Sequence, residues 1–272
     1  SVSHTAAACP VKDTSTPAYA WAKVDISPTG EYFLSITSPD TSVKISIGIP
    51  SRIFSERDMA DSMRWAPLVG LVLGAAALIP LCAGIAPDTP MLRALIWIAV
   101  MAWATRALHW DGLADCMDAW GSGARGEQFQ AILKDSRCGS FGVLAMILTL
   151  ALQAAALAAI FSDAFPGAWW PALLAPAWGR ANMLLPPALL PPHPVSTLGR
   201  LMAPGCSLCL AAVWLAALII PCAVLAGPRP ALITLALSLA VQLFLYRLAR
   251  RENGFNGDFL GACCMLCESA LL

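Results

Sequence analysis

The chain has 272 residues, of which 58% are hydrophobic and only 12% are charged, and its 17 basic residues balance its 17 acidic residues. Its mean hydropathy of +0.68 and its low charge exclude an ordinary soluble domain, in which about 25% of residues are charged. No basic stripe is present, so we expect membrane lipid as a partner and no nucleic acid.

The first 45 or so residues differ from the rest because they are polar and rich in Thr, Ser and Pro. Short alternating runs such as EYFLSI are equally compatible with a pair of strands and with a flexible extension. The segment lacks the charged start and apolar core of a signal peptide, and we assign it no function. The sequence therefore predicts an N-terminal extension over 1–45 and a membrane domain over 46–272.

Seven apolar segments follow an amphipathic helix that is predicted over 51–65. A helix needs about 20 residues to cross a bilayer core, so the first six segments are long enough and the last is short. The fourth contains four prolines and Arg180, which predicts a broken helix that lines a polar cavity. The fold class is therefore an all-α, polytopic integral membrane bundle of about six or seven transmembrane helices, one of them broken by proline. The predicted spans are 66–86, 91–108, 140–161, 168–190, 205–226, 230–248 and 258–272.

The Lys and Arg residues predict the orientation of the chain in the membrane. If the N-terminus is cytoplasmic, all 17 basic residues except Arg93, Arg229 and the intramembrane Arg180 belong to inside loops. The positive-inside rule therefore predicts a cytoplasmic N-terminus. The same orientation brings the polar loop after the second span and the segments 134–142 and 251–261 to the cytoplasmic face.

Three carboxylates in the stretch HWDGLADCMDAWGSG are the strongest functional signal. Asp111, Asp115 and Asp118 stand at positions i, i+4 and i+7, which places them on one face of a helix. Their neighbours are apolar or small, whereas a solvated charged face has polar neighbours. Crowded carboxylates repel one another unless a cation holds them, and oxygen ligands suit Mg²⁺ or Mn²⁺, which commonly also bind phosphate. The pattern predicts a metal centre in an enzyme acting on a phosphate or diphosphate, with His109 as a hydrogen-bonding support.

The segment KDSRCGSFG is the second signal, because it combines positive charge with hydrogen-bond donors. Lys134 and Arg137 supply the charge, Ser136 supplies a hydroxyl, and a helix that begins near Ser140 directs its positive dipole end to the same place. These features predict a phosphate pocket. Asp135 is a candidate ligand of a second metal ion or a candidate base. The alternative is a juxtamembrane anchor of basic side chains.

Further candidates lie in the broken span and near the C-terminus. Arg180 is expected to pair with a substrate phosphate or an aspartate, and the alternative partner is a backbone carbonyl. Gly257 and Asp258 lie where the last apolar segment begins, and Asp258 is alternatively only a helix cap. Glu268 needs a polar partner, which we expect in the same cavity. His193, in the run PPHP, is interpreted as a loop residue.

Several of these blocks together resemble a known family. ALHWDGLADCMDAW, AILKDSRCGSFGVLA and GFNGDFLGA, followed by Glu268, resemble the signature blocks of cobalamin synthase, also called adenosylcobinamide-GDP ribazoletransferase. SMRWAPLVGLVLGA and the WGRA around Arg180 resemble two further blocks. The resemblance covers roughly 46–272. Asn253 and Asn256 depart from it, because the family more often has Gly and Thr there.

The resemblance implies an Mg²⁺-dependent transferase of cobalamin biosynthesis in the cytoplasmic (inner) membrane, multi-pass, with its active site facing the cytoplasm. It would join adenosylcobinamide-GDP to α-ribazole or α-ribazole 5′-phosphate and release GMP. A homo-oligomer or a complex with other late cobalamin enzymes is compatible with the sequence. Asp111, Asp115 and Asp118 would bind the metal, and the catalytic residues would be Asp118 or Asp135 as base with Lys134 and Arg137 as cations. The expected substrate-binding residues are His109, Ser136, Arg180, Gly257, Asp258 and Glu268.

Two other functions fit the sequence less well. A CDP-alcohol phosphotransferase also has clustered aspartates at a membrane face, but its motif DG-x2-AR is not matched by the run DGLADC of this chain. A transporter would explain the broken span and Arg180. Transporters often contain internal repeats, and none is found here, while the polar motifs crowd one face instead of the midplane.

Overall fold

The computed structural model describes residues 21–26, 32–38, 41–49, 56–86, 88–135, 137–162 and 169–272. The chain divides into two compact units, Ser1–Ser55 and Glu56–Leu272. The first contains a three-stranded antiparallel sheet in the order β1-β2-β3. The run TSVKISIGI explains its last strand, because apolar β-branched residues alternate with other residues at a period of two. This last strand continues past residue 45, where the sequence places the end of the extension. The strands are β1 Trp21–Ile26, β2 Tyr32–Ser38 and β3 Thr41–Ile49.

Within its described residues, the second unit is built of helices joined by loops, with one isolated β-bridge between Pro192 and Phe255, which confirms the all-α prediction for the membrane domain. A short 3₁₀ turn at Ala203–Gly205 is its remaining regular element. The helices are α1 Glu56–Cys82, α2 Pro90–Thr105, α3 Leu108–Gly121, α4 Glu127–Leu133, α5 Ser140–Ile160, α6 Trp170–Asn182, α7 Leu185–Leu189, α8 Thr197–Met202, α9 Leu208–Ala226, α10 Pro228–Arg251 and α11 Gly257–Leu271.

The protein is a multi-pass membrane protein. Within the described residues, four helices, α1, α5, α9 and α10, are long and apolar enough to cross a membrane. A fifth span results if α2 and α3, which meet at a bend of 90°, are counted together. Six or seven spans were predicted, and the difference arises because α6 and α11, with 13 and 15 residues, are shorter than a bilayer core.

Two features of the predicted spans can be compared directly with the helices. The break in the fourth span is confirmed, since α6 ends at Asn182 and the short α7 follows it. The helix predicted over 51–65 is confirmed from Glu56 onward, and residues 51–55 lie outside the described residues. Its predicted end before residue 66 is wrong, because α1 runs without interruption from Glu56 through Pro67 to Cys82. No glycine or turn residue separates the two segments, and the helix continues although Pro67 lacks an N–H group and removes one backbone hydrogen bond.

The short helices α6 and α11 form the centre of the unit. Trp178 of α6 and Phe259 of α11 are fully buried, and the Trp178 indole N–H donates to Ser238 Oγ at 2.9 Å. Glycines allow the close packing: a Cβ on Gly70 of α1 would lie 2.5 Å from Ala177 Cα, and one on Gly179 would lie 2.5 Å from the Cys264 carbonyl oxygen. Small residues commonly mediate helix contacts in membranes, where no hydrophobic effect drives association.

Candidate active site

A sharp turn between α2 and α3 sets the direction of the acidic helix. Arg106 and Ala107 both have positive φ angles, 50° and 54°, although neither is glycine. Each such residue costs about 1–2 kcal/mol, and strain of this kind persists where the surrounding structure requires it. The turn bends α3 by 90° from the line of α2, so the two helices do not form one continuous span.

Glycine packing brings the N-terminus of α11 against α3. A Cβ on Gly112 would lie 3.0 Å from the carbonyl oxygen of Asp258 and 3.2 Å from Cα of Gly261. Because these neighbours are backbone atoms, a larger residue at Gly112 would force the two helices apart. The close crossing places Asp258 near enough to Asp111 and Asp115 to interact with both electrostatically, although these residues lie far earlier in the chain.

Asp258 and the three aspartates of α3 influence one another electrostatically. Burial and, to a smaller extent, the charges of Asp111, Asp258 and Asp118 together raise the pKa of Asp115 to about 7. Burial and the Asp111 charge also raise the pKa of Asp258 to about 6, although Asn256 donates a hydrogen bond of 2.9 Å to its carboxylate. Like charges that disfavour ionisation in this way would be relieved by a bound cation. In the described part of the chain, no three His, Cys, Asp or Glu side chains are close enough together to hold a metal ion by themselves.

Asp118 has a different environment from the other two aspartates of α3. Its carboxylate accepts hydrogen bonds from the backbone N–H groups of Gly139 (2.6 Å) and Gly142 (2.7 Å) at the N-terminus of α5. A Cβ on Gly142 would overlap this carboxylate and would lie 2.8 Å from the carbonyl oxygen of Ala114. The anion expected at the dipole end of α5 is therefore supplied by the protein itself. The metal-binding and base roles of Asp118 remain predictions.

Arg137 pairs with a neighbouring carboxylate at the surface. Its guanidinium donates to Asp135 at 2.7 Å (Nη2) and 3.0 Å (Nε), and 87% of the Arg137 side chain is exposed. These hydrogen bonds lower the pKa of Asp135 to about 2, so this carboxylate is a weak proton acceptor near neutral pH. Ser136, between the two, lies outside the described residues.

The predicted phosphate pocket is divided between two clefts that adjoin α4. The first, which we call the α5 cleft, has a volume of about 510 Å³ and is lined by Asp118, Asp135, Arg137 and the N-terminus of α5. Lys134 does not line it. Lys134 lines the second, here called the α4 cleft, which has a volume of about 510 Å³ and also includes Glu127, Gln130, His193, Glu252 and Asn253.

Glu252 is a residue that the sequence analysis did not identify. Its fully buried carboxylate accepts hydrogen bonds from Gly126 N–H (2.8 Å) and Arg251 Nε (2.6 Å), which tie the start of α4 to the end of α10. Arg251 also lies 5.8 Å from the centre of the Phe129 ring. A charged residue in the run RRENG has the pattern of a solvated loop, so only the packing of α4 reveals this role.

Arg180 and Glu268 are paired with each other inside the bundle. Their side chains are 3.7 Å apart, both are almost fully buried, and Arg180 also donates to the Pro176 carbonyl oxygen at 2.8 Å. The partner expected for Arg180 was a phosphate or an aspartate, and the observed contacts are a glutamate and the backbone. This pair joins α6 to α11. His109 lies nearby in the first turn of α3, where burial and the Arg180 charge lower its pKa to about 4, so its imidazole is neutral.

The N-terminus of α11 is capped by Asn256, whose side chain accepts a hydrogen bond from the Phe259 N–H at 3.1 Å. Asp258 is therefore not the capping residue, and its carboxylate is available to the acidic cluster. Gly257 packs against Leu198, because a Cβ there would lie 2.9 Å from Leu198 Cδ2. Thus Asp111, Asp115 and Asp258 come together, Asp118 and Arg137 line the adjoining cleft, and Lys134 lies in the next.

The fold and this site define a polytopic membrane protein with a carboxylate cluster where α3 meets α5 and α11. The family model for cobalamin-5-phosphate synthase matches residues 41–272, and the chain belongs to this family. A relative from Nitratidesulfovibrio vulgaris (strain DP4), named adenosylcobinamide-GDP ribazoletransferase, is 41% identical over 82% of this chain and 90% of its own length. Relatives of the same name from Rhizobium etli (strain CIAT 652; 38% identical, 82% and 89% covered) and Sinorhizobium medicae (33% identical, 83% and 90% covered) are similar. No solved structure matches the chain.

Proposed function

We propose that the protein is an adenosylcobinamide-GDP ribazoletransferase of the inner membrane whose active site faces the cytoplasm. It joins adenosylcobinamide-GDP to α-ribazole, or α-ribazole 5′-phosphate, and releases GMP. The observation that carries this proposal is the convergence of Asp111, Asp115 and Asp258, residues from two distant segments, next to a cleft that contains Arg137. The shared name of the relatives supports the choice of substrates.

The donor chemistry of the acidic cluster fits a divalent cation, and binding one would require its side chains to move closer together than they are in the described residues. Its donors are all carboxylate oxygens, which Mg²⁺ or Mn²⁺ prefers. The pKa of Asp115 is raised first by burial and then by repulsion from the neighbouring carboxylates, and a cation would relieve this repulsion. Asp111, Asp115 and Asp258 would hold the ion, and phosphate oxygens of the substrate would complete its ligands, as is usual for Mg²⁺. Once bound, the ion would supply neutralisation of the diphosphate charge. Asp118, which is engaged by α5, would position that helix.

The reaction itself requires positioning and charge neutralisation. A ribose hydroxyl of α-ribazole attacks the phosphorus nearest the cobinamide, a new O–P bond forms, and the bond to the GMP phosphate breaks. The hydroxyl proton passes to a carboxylate of the site. Arg137 can leave Asp135 and pair with the departing phosphate instead, because the ion pair between Arg137 and Asp135 is exposed and exposed ion pairs are weak. Lys134, next in the chain to Asp135, takes up charge on GMP from the α4 cleft.

The direct test is GMP release from adenosylcobinamide-GDP and α-ribazole by the purified protein with Mg²⁺. Asp115→Asn should lower the rate by about 100-fold or more, because it removes a charge at the reacting centre. Asp88→Asn is the matched control, since Asp88 is an exposed carboxylate between α1 and α2. Both variants should be recovered from membranes in wild-type amounts. An inactive wild-type protein would refute the function, and near-normal turnover by Asp115→Asn would remove the cluster from the mechanism.

A further inference from the structure

The α4 cleft is a second candidate binding site that the acidic centre does not explain. Its volume of about 510 Å³ lies within the range of small-molecule sites, which is roughly 300–1,000 Å³. It is built from three separate segments, namely α4, the loop that contains His193, and the turn at Glu252 and Asn253. The reaction has two substrates with different heterocycles, so the lining of this cleft can be compared with each.

The side chains that line the α4 cleft include both hydrogen-bond donors and acceptors. Glu127 is an acceptor, Lys134 is a donor, and Gln130 and Asn253 are both. Guanine presents two donor groups, N1–H and the 2-amino group, beside the O6 acceptor. The benzimidazole of α-ribazole has no N–H donor that could pair with the carboxylate of Glu127. The cleft therefore suits the guanosine part of adenosylcobinamide-GDP.

The positions of the charged residues along α4 match the length of a nucleotide. Glu127, Gln130 and Lys134 follow one face of the helix, and seven residues separate the first from the last, about 10 Å of rise. This separation is similar to the distance between the base edge and the 5′-phosphate of a nucleotide. Lys134 marks the phosphate end, because Asp135, the next residue, lines the α5 cleft beside the acidic centre.

The other end of the cleft is held in a defined position. The buried Glu252 carboxylate binds the N–H of Gly126, the residue immediately before Glu127. Within the described part of the chain, neither Glu127 nor Lys134 has an ion pair or a side-chain hydrogen bond that would occupy it. Both side chains are exposed to solvent at the cleft and are accessible to a ligand.

We propose that the α4 cleft binds the guanosine monophosphate part of adenosylcobinamide-GDP, the part that leaves as GMP. Glu127 accepts hydrogen bonds from the guanine N1–H and 2-amino groups, and Lys134 pairs with the phosphate. The inference rests on the proposed function, because that reaction supplies the guanosine nucleotide. It identifies Glu127 as the residue that recognises the guanine base of the substrate.

The test measures nucleotide binding and turnover separately. Purified protein in lipid nanodiscs with Mg²⁺ is examined by equilibrium dialysis with labelled GMP, IMP and AMP. The wild type should bind GMP most tightly, IMP more weakly because it lacks the 2-amino group, and AMP weakest. Glu127→Gln should weaken GMP binding roughly tenfold or more, the effect of losing hydrogen bonds to a charged acceptor, and should abolish the preference for GMP over IMP.

Two further variants distinguish the two ends of the cleft. Lys134→Ala should weaken the binding of GMP, IMP and AMP by the same factor, and Asp88→Asn should leave the binding of all three unchanged. In steady-state assays Glu127→Gln should raise KM for adenosylcobinamide-GDP and leave KM for α-ribazole unchanged. GMP binding within twofold of wild type in Glu127→Gln, or an equal loss for all three nucleotides, would overturn the inference. GMP-selective binding without turnover would instead refute the proposed function and leave the cleft assignment standing.

Discussion

Replacing Asp118 tests whether this carboxylate mainly holds the N-terminus of α5. In Asp118→Ala the N–H groups of Gly139 and Gly142 lose their acceptor. Each hydrogen bond to a charged group contributes about 1.5–3 kcal/mol, and the helix dipole adds about 0.3–1 kcal/mol. The cleft admits water, which can satisfy the freed amides in part. We therefore expect a net loss of about 2 kcal/mol in the free energy of unfolding, near the upper end for helix caps.

The measurement is equilibrium unfolding in mixed detergent micelles, followed by helix content. Asp118→Asn retains one acceptor oxygen and should lose about half as much stability as Asp118→Ala. Asp111→Ala is the matched control, because it removes the same charge from an exposed position of the same helix and should change stability by less than about 0.5 kcal/mol. If Asp118→Ala were as stable as the Asp111 variant, the carboxylate would not be the cap that the geometry indicates.

Four further outcomes are expected. Gly112→Ala should lower the free energy of unfolding by about 1–3 kcal/mol and should also lower turnover, because its methyl group would press on the Asp258 backbone. Equilibrium unfolding and GMP release measure the two effects, and an unchanged rate would contradict the packing of α3 against α11. Glu268→Ala should lower the free energy of unfolding by about 3 kcal/mol, because it leaves the buried Arg180 charge without its carboxylate. In the same unfolding measurement, the double variant Arg180→Met with Glu268→Met should recover most of this stability. Removing divalent ions with EDTA should stop GMP release, and Mg²⁺ or Mn²⁺ should restore it; persistent activity would exclude the metal. Because Asp135 has a pKa of about 2, the pH profile of kcat between pH 5 and 9 should keep its shape in Asp135→Asn, and a lost acidic limb would identify Asp135 as the base.

Local sequence patterns were sufficient for most of the helical architecture. The apolar lengths of α5, α9 and α10 identify these helices because a bilayer requires about 20 apolar residues in a row, whatever packs around them. The prolines of the fourth segment likewise indicate its break. The positions i, i+4 and i+7 place Asp111, Asp115 and Asp118 on one side of α3 by helix geometry alone.

The partners of those residues depend on contacts between distant segments. Asp258 reaches the acidic cluster only because Gly112 and Gly261 let two helices approach closely, and Asp118 turns out to bind the amides of α5. Arg180 pairs with Glu268 and not with a phosphate, because α6 and α11 pack against each other and bring the two side chains together.

Composition and periodicity alone determined that this chain crosses a membrane and carries carboxylates on one helical face, because hydrophobicity and helix geometry act over a few turns. The tertiary structure decided which carboxylates meet, which cations share a cleft and which charges are buried in pairs. The physical reason is that electrostatic and hydrogen-bonding partners are set by distances of a few ångströms between segments far apart in the chain, and those distances follow from how the helices pack.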